Sequence, residues 1–141
     1  MNNIIIDTNV FVSALMSRTG ASYKLLNLIG TGQFEISVSV PLVLEYEDAA
    51  KRFMGSRIRL SEQDSDNVID YICSAAHHHR VYYLWRPMLK DARDDMVLEL
   101  AVSASCRFIV TYNLNDFKGV ERFGINPITP KTFLETIGAL P

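Results

Sequence analysis

The chain has 141 residues, of which 48% are hydrophobic and 21% charged, and its formal net charge is −2. This length and composition predict one domain with a proper core over residues 1–141, and the charge argues against a generally basic nucleic-acid binder. No apolar run reaches the roughly 18 residues of a membrane span, and the N-terminal "MNNIII" lacks the features of a signal peptide, so we expect a cytoplasmic protein without membrane contact.

The first half of the chain alternates strand and helix patterns. In chain order, we predict a buried strand at 3–6, helices at 9–17 and 23–29, a strand in "FEISVS" at 34–39, and a helix at 42–54. Ser39 is suited to cap that last helix, with Pro41 in its first turn.

The second half continues the alternation. Ser61 and Asp64 have the spacing of a capping box and begin a helix. We then predict a strand in "VYYLW" at 81–85, a helix in "DDMVLELAVSAS" at 94–105, a strand in "RFIVT" at 107–111 and a helix capped by Thr129 at 129–137. This order favours an α/β fold whose central sheet is mainly parallel.

Acidic side chains recur near the predicted carboxyl ends of the strands. Asp7 ends the first strand, Asp94 and Asp95 open the helix before "RFIVT", Asp116 follows that strand, and Glu45 lies in the second turn of the helix after "FEISVS". Each has an ordinary structural explanation as a helix cap, a turn residue or a solvated charge. Ligands gather at this edge of parallel sheets, however, so the acids together predict one cleft.

Four carboxylates in one cleft would repel each other unless they are protonated or neutralised by cations. Mg²⁺ prefers such oxygen ligands and is often bound together with substrate phosphate. A hard divalent ion also polarises a phosphoryl group and activates water. The pattern therefore predicts metal-assisted phosphodiester hydrolysis.

Four ordered blocks resemble the PIN-domain family, whose closest subgroup is the toxin component of bacterial toxin–antitoxin pairs. The blocks are "IIIDTNVFVSAL", "SVPLVLEYEDAAKRF", "DARDDMVLELAVSASCRFIVTYNLNDF" and "ITPKTFLETI", which together extend over roughly residues 4–135. The resemblance implies a three-layer α/β/α domain with a central, mainly parallel sheet. It implies an Mg²⁺- or Mn²⁺-dependent endoribonuclease acting on RNA, a protein antitoxin whose segment blocks the cleft, and a homodimer.

The resemblance also implies roles for individual residues. Asp7, Glu45 and Asp95 become the main metal-binding and catalytic acids, and Asp116 becomes the fourth. The supporting polar positions and further metal candidates are Asn9, Thr111, Asn113, Asp94 and, more weakly, Glu99. Asn113 stands where many relatives carry an aspartate and brings no charge to a second metal.

Two further clusters have simpler interpretations. The basic residues Lys51, Arg52, Arg57 and Arg59 form either a solvated helix end or a contact to the RNA backbone, which would be sensitive to salt. The histidines at 77–79 are consecutive rather than four apart, so we expect a solvated helix end and not a metal site.

Two other functions remain open at this point. A phosphatase could use Asp7 as nucleophile, but such enzymes often carry a second aspartate two positions later, where this chain has Asn9. The other is a non-catalytic RNA-binding or regulatory module. If that module were a phosphorylatable receiver, it would need a phosphoacceptor aspartate at the end of a central strand and a lysine after a late strand, and "RFIVTYN" supplies no lysine.

Overall fold

The three consecutive isoleucines of the first strand lie at the centre of the sheet. In this computed structural model, which describes residues 1–81 and 89–140, strand β1 (Asn3–Ile6) buries Ile4, Ile5 and Ile6 almost completely. A strand buried on both faces is typical of the middle of a parallel sheet covered by helices. The apolar run therefore fixes the position of β1 and of the carboxylate that follows it.

The described sheet has five strands in the order β3-β2-β1-β4-β5, and every pairing is parallel. The remaining strands are β2 (Glu35–Val38), β3 (His77–His78), β4 (Phe108–Val110) and β5 (Asn126–Ile128). Helices flank the sheet, so the predicted α/β class with a central parallel sheet is confirmed.

Six helices connect and cover these strands within the described residues. They are α1 (Thr8–Met16), α2 (Ala21–Asn27), α3 (Val40–Phe53), α4 (Glu62–Ala75), α5 (Ala92–Ser103) and α6 (Pro130–Thr136). The side chains of Ser39, Ser61 and Thr129 accept the backbone N–H groups expected of helix caps. Two short 3₁₀ helices, Leu114–Phe117 and Val120–Phe123, follow β4.

Two edge strands were not predicted. Helix α4 ends at Ala75, and His77 and His78 pair with β2 instead of forming an exposed helix end. Strand β5 contains Pro127, which a sheet tolerates at its edge because an edge strand needs fewer donors. Strand β3 consists of two histidines and β5 of Asn-Pro-Ile, so neither carries the apolar run that revealed the equally short β4.

The predicted strand at 81–85 falls largely on residues outside the described part of the chain. Of the described residues, 77–81 are exposed or half-buried. No helix in the described ranges has both the length and the apolar character needed to cross a membrane.

Candidate active site

The order of the strands reverses between β1 and β4, which lie side by side at the centre of the sheet. In open parallel sheets, a crevice forms at such a switch point, outside the carboxyl ends of the strands. Asp7 follows β1 and Thr111 follows β4 at this edge. The sheet topology therefore brings together two polar residues that are 104 positions apart in sequence.

Three groups hold the carboxylate of Asp7. The Thr111 hydroxyl donates to Oδ2 at 2.8 Å, the backbone N–H of Thr8 donates to Oδ1 at 2.9 Å, and the side-chain amide of Asn9 donates to Oδ2 at 3.3 Å. Asp7 thus caps α1, as its ordinary structural interpretation predicts, and it also lines a cleft. The two roles are compatible because the side chain, although bonded at both oxygens and only 8% exposed, still contributes to the cleft wall.

Helix α3 brings Glu45 to the same cleft. The neighbouring Tyr46 is buried, stacks on Phe11 with ring centroids 4.7 Å apart, and donates its hydroxyl to the carbonyl of Ile6. Because Ile6 directly precedes Asp7, this contact attaches α3 to the end of β1. Glu45, one residue before the anchor, then faces the cleft.

The start of α5 carries two adjacent aspartates with different surroundings. Asp94 lines the cleft. Asp95 is 8% exposed, does not line the cleft, and accepts the backbone N–H of Leu89 at 2.9 Å. From the sequence, Asp95 is expected to be the main α5 acid of the site. In the structure, Asp94 faces the cleft and Asp95 points inward.

The segment after β4 supplies the fourth acidic side chain. The backbone N–H of Asn113 donates to the Thr111 hydroxyl at 3.0 Å, and that of Asp116 donates to the carbonyl of Asn113 at 3.0 Å. Asn113 and Asp116 both line the cleft, whereas Thr111 is fully buried behind Asp7. Thr111 thus organises both the Asp7 carboxylate and the turn that carries Asp116.

These side chains surround a cavity of about 390 Å³. The predicted site residues that line it are Asp7, Asn9, Glu45, Asp94, Asn113 and Asp116. Of the predicted basic cluster, only Arg52 lines the cavity, while Lys51, Arg57 and Arg59 do not. The cluster is therefore divided between the cleft and the outer surface.

The acids influence one another electrostatically. Burial raises the pKa of Asp7, and the charges of Glu45 and Asp116 add to this, while the bonds from Thr111 and Thr8 oppose it. The pKa of Asp94 is raised to about 6, first by burial and then by the charges of Asp7, Asp116 and Asp91. Such mutual repulsion is expected where carboxylates share a cleft without a neutralising cation.

The donor set fits a hard divalent cation in its chemistry. Carboxylate and amide oxygens from four separate segments line one cleft, and such oxygens are the ligands that Mg²⁺ and Mn²⁺ prefer. Among residues 1–81 and 89–140, no three acidic, imidazole or thiol side chains are already arranged as a metal-holding group. Binding would therefore need the side chains to move closer around the ion.

Sequence reasoning did not single out Asp91 or Arg93, which also line the cleft. Asp91 caps α5, and the Arg93 guanidinium donates to its carboxylate, which lowers the pKa of Asp91. The spacing offered a signal, since Asp91 and Asp94 are three apart at a helix start and share one face.

Glu99, the weaker predicted candidate, lies one turn beyond Asp95. It is 6% exposed and does not line the cleft. Burial and the nearby charge of Asp95 raise its pKa. Glu99 therefore lies on the buried face of α5 and not at the cleft.

A sequence model of the PIN domain matches residues 3–115, which include every acidic residue of the cleft except Asp116. The fold is similar to that in a crystal structure of VapBC2 from Rickettsia felis bound to a DNA fragment from the VapBC2 promoter. The TM-score is 0.61 and the sequence identity is 14%, and the match covers 89% of this chain and 98% of that chain. VapBC-1 from nontypeable Haemophilus influenzae is similar with a TM-score of 0.60, 12% identity, and coverage of 92% and 98%. No sequence among curated proteins matches this chain. The match over most of the chain, together with the parallel sheet and its acidic cleft, shows that the chain belongs to the PIN-domain family.

Proposed function

We propose that this protein is a metal-dependent endoribonuclease that hydrolyses phosphodiester bonds of RNA. One observation carries the proposal: carboxylates from four separate segments, Asp7, Glu45, Asp94 and Asp116, line one cleft at the switch point of a parallel sheet. A stable fold alone has no need to gather four like charges, whereas a phosphate-cleaving site that uses cations does.

The four acids would hold Mg²⁺ or Mn²⁺, and Asn113 would offer a neutral amide oxygen beside them. When bound, such an ion polarises the phosphoryl group and lowers the pKa of the attacking water. We assign the α5 ligand to Asp94, because Asp95 is turned away and accepts the N–H of Leu89. Asp95 would then act as a positioning residue for the start of α5.

The other side chains orient the acids. Thr111 and Asn9 fix the Asp7 carboxylate through hydrogen bonds of 2.8 and 3.3 Å. The hydroxyl of Thr111 also receives the N–H of Asn113, so one residue orients ligands on two segments. Because Asp7 is already held in place, it loses little conformational freedom when a substrate arrives, which favours reaction.

We further propose that the protein is the toxin of a toxin–antitoxin pair, with a protein antitoxin and a homodimeric state. Two structures of similar fold are VapBC assemblies, and one of them was solved on promoter DNA. Mass measurement of the purified chain by light scattering, alone and with the product of a neighbouring gene, tests this part. A mass of about twice 15.9 kDa is expected for the chain alone.

The decisive experiment is cleavage of single-stranded RNA by the purified chain in Mg²⁺ or Mn²⁺. Asp7→Asn and Asp94→Asn should each cut about 100-fold more slowly or worse, since each removes a ligand charge. Asp95→Asn should lose less than about 10-fold, because its amide oxygen still accepts a backbone N–H. Asp66→Asn, which alters an exposed residue of α4, is the matched control.

Three results would change this assignment. If Asp7→Asn and Asp94→Asn cut as fast as the parent, the protein is not a nuclease of this kind. If Asp95→Asn is inactive and Asp94→Asn is not, Asp95 is the α5 ligand. A parent that binds RNA without cutting it would favour the non-catalytic alternative.

A further inference from the structure

Two arginines line the acidic cleft from different helices. Arg52 belongs to the last turns of α3, and Arg93 lies in the first turn of α5, next to Asp94. A cleft that only had to hold cations would gain nothing from these positive charges, since they oppose cation binding. Arginines are expected in such a cleft where it also receives an anionic ligand.

Each guanidinium is paired with a carboxylate outside the proposed ligand set. Arg52 bonds Asp48 at 2.7 Å, and Arg93 bonds Asp91 at 3.1 and 3.4 Å. These bonds leave Asp7, Glu45, Asp94 and Asp116 to face the cavity. The arginines therefore add positive charge to the cleft without capping the acids that we assign to the metal.

Both ion pairs are easily exchanged for another anion. The side chains of Arg52 and Asp48 are 51% and 73% exposed, and those of Arg93 and Asp91 are 62% and 43% exposed. Exposed ion pairs contribute little to stability because water screens them and the side chains lose entropy. A phosphate can thus replace the aspartate at small cost, and guanidinium groups bind phosphate oxygens in a bidentate manner.

The two arginines lie at different distances along their helices from the proposed metal-binding acids, so each can meet a different phosphate. Arg52 follows Glu45 by seven residues, which is about 10 Å along a helix, whereas Arg93 is adjacent to Asp94. Arg52 also lies over the ring of Phe53, 5.8 Å from its centroid, and Phe53 lines the cleft as well. This contact favours one orientation of the guanidinium at the cleft wall.

We propose that Arg52 and Arg93 form a phosphate clamp, in which Arg93 binds the backbone beside the scissile phosphate and Arg52 binds a phosphate further along the same RNA strand. The clamp rests on the proposed substrate class, RNA, and assigns residues for holding it. Phosphate contacts of this kind set the register of the strand and carry no sequence information.

The test measures binding and its dependence on salt, not cleavage. A fluorescein-labelled single-stranded RNA is titrated with the parent, Arg52→Gln, Arg93→Gln and the double variant, and Kd is followed by anisotropy over a range of KCl concentrations. Ca²⁺ replaces Mg²⁺ to neutralise the carboxylates, and the integrity of the RNA is checked on a gel after each titration.

Each single variant should reduce the slope of log Kd against log salt by about 0.7, which is the value for one contact to single-stranded nucleic acid, and the double variant by about 1.4. Arg93→Lys should restore the slope, because it keeps the charge. The matched control is Arg107→Gln, which removes the same charge at the amino end of β4, away from the cleft. Its slope should equal that of the parent.

The clamp is overturned if Arg52→Gln and Arg93→Gln keep the parent's slope, or if the parent does not bind RNA. If RNA binding is unchanged in the variants, the arginines are instead expected to bind acidic groups of a protein partner. Failure of the clamp and failure of the nuclease are distinguishable. If the parent cleaves RNA but the arginine variants keep its salt slope, only the clamp is refuted. If the variants reduce the slope but the parent cleaves no RNA, only the nuclease proposal is refuted.

Discussion

The hydroxyl of Thr111 donates a hydrogen bond of 2.8 Å to Oδ2 of Asp7 and thereby joins the ends of the two central strands of the sheet. Both residues are buried, with Thr111 fully enclosed. The bond lowers the pKa of Asp7 against the raising effect of burial. A single hydroxyl therefore helps to keep the central carboxylate of the cleft ionised.

Replacing Thr111 by valine removes this donor and keeps the shape of the side chain. We expect RNA cleavage to fall about 10-fold, as is common for a partner that orients a ligand. The acid limb of the rate profile should move to higher pH, because Asp7 without the bond takes up a proton more readily. Thr111→Ser, which retains the hydroxyl, should restore both properties. A valine variant with the parent's rate and pH profile would contradict the role given to Thr111.

The raised pKa of Asp94 predicts that the stability of the folded chain depends on pH. The folded protein holds this proton up to about pH 6, whereas the ordinary value is 3.8. The folded state therefore binds more protons between these values, so stability is lost as the pH rises through this window. At about pH 7 and without metal, Asp94→Asn should raise the free energy of unfolding by about 1 kcal/mol, a figure discounted because the group is half exposed.

Urea unfolding in EDTA at about pH 7 and again near pH 4 measures this effect. The gain from Asp94→Asn should be largely absent at the lower pH, where the parent carboxyl is protonated as well. Asp66→Asn, at an exposed position of α4, controls for the removal of one negative charge. Equal stability of Asp94→Asn and parent at pH 7 would show that burial and the neighbouring acids do not raise the pKa of Asp94.

Tyr46 attaches helix α3 to the end of β1, so removing its hydroxyl should lower the stability of the protein. Tyr46→Phe leaves the buried carbonyl of Ile6 without this donor, so the free energy of unfolding should fall by about 1–2 kcal/mol. Tyr71→Phe is a matched control, because the hydroxyl of Tyr71 also donates to a backbone carbonyl, that of Ile29. Tyr71 is 51% exposed, so water can replace its bond and the loss should be smaller. Losses of equal size would refute the anchoring role of Tyr46.

Metal binding should stabilise the folded chain independently of any cleavage. At 100 times the dissociation constant, a ligand specific for the folded state adds about 2.7 kcal/mol to stability. Mg²⁺ or Mn²⁺ should therefore raise the Tm of the parent, and much less that of Asp7→Asn or Asp94→Asn. The rise should also shrink below about pH 6, where Asp94 takes up its proton. An equal rise in the parent and in both variants would place the ion elsewhere.

The class of fold and the origin of most of the cleft could be predicted from the pattern of amino acids alone. Buried β1 is evident from its three isoleucines, because only a central strand buries such a run. The alternation of strands and helices predicted parallel pairing, and parallel strands end at a common edge. Asp7, Glu45 and Asp116 could therefore be assigned to that edge from their positions after β1, β2 and β4.

Which of the two neighbouring aspartates of α5 faces the cleft can be seen only in the folded chain. Successive residues on a helix point about 100° apart, so Asp94 and Asp95 cannot both do so equally. An amphipathic helix would reveal its orientation, but every residue of α5 from Asp95 to Ala101 is buried. The acids Asp95 and Glu99, four residues apart, would predict an exposed face, yet the structure buries both, so the rotation of α5 cannot be read from its sequence. Packing against the sheet sets that rotation, and it also brings Arg93 and the start of α5 to the cleft.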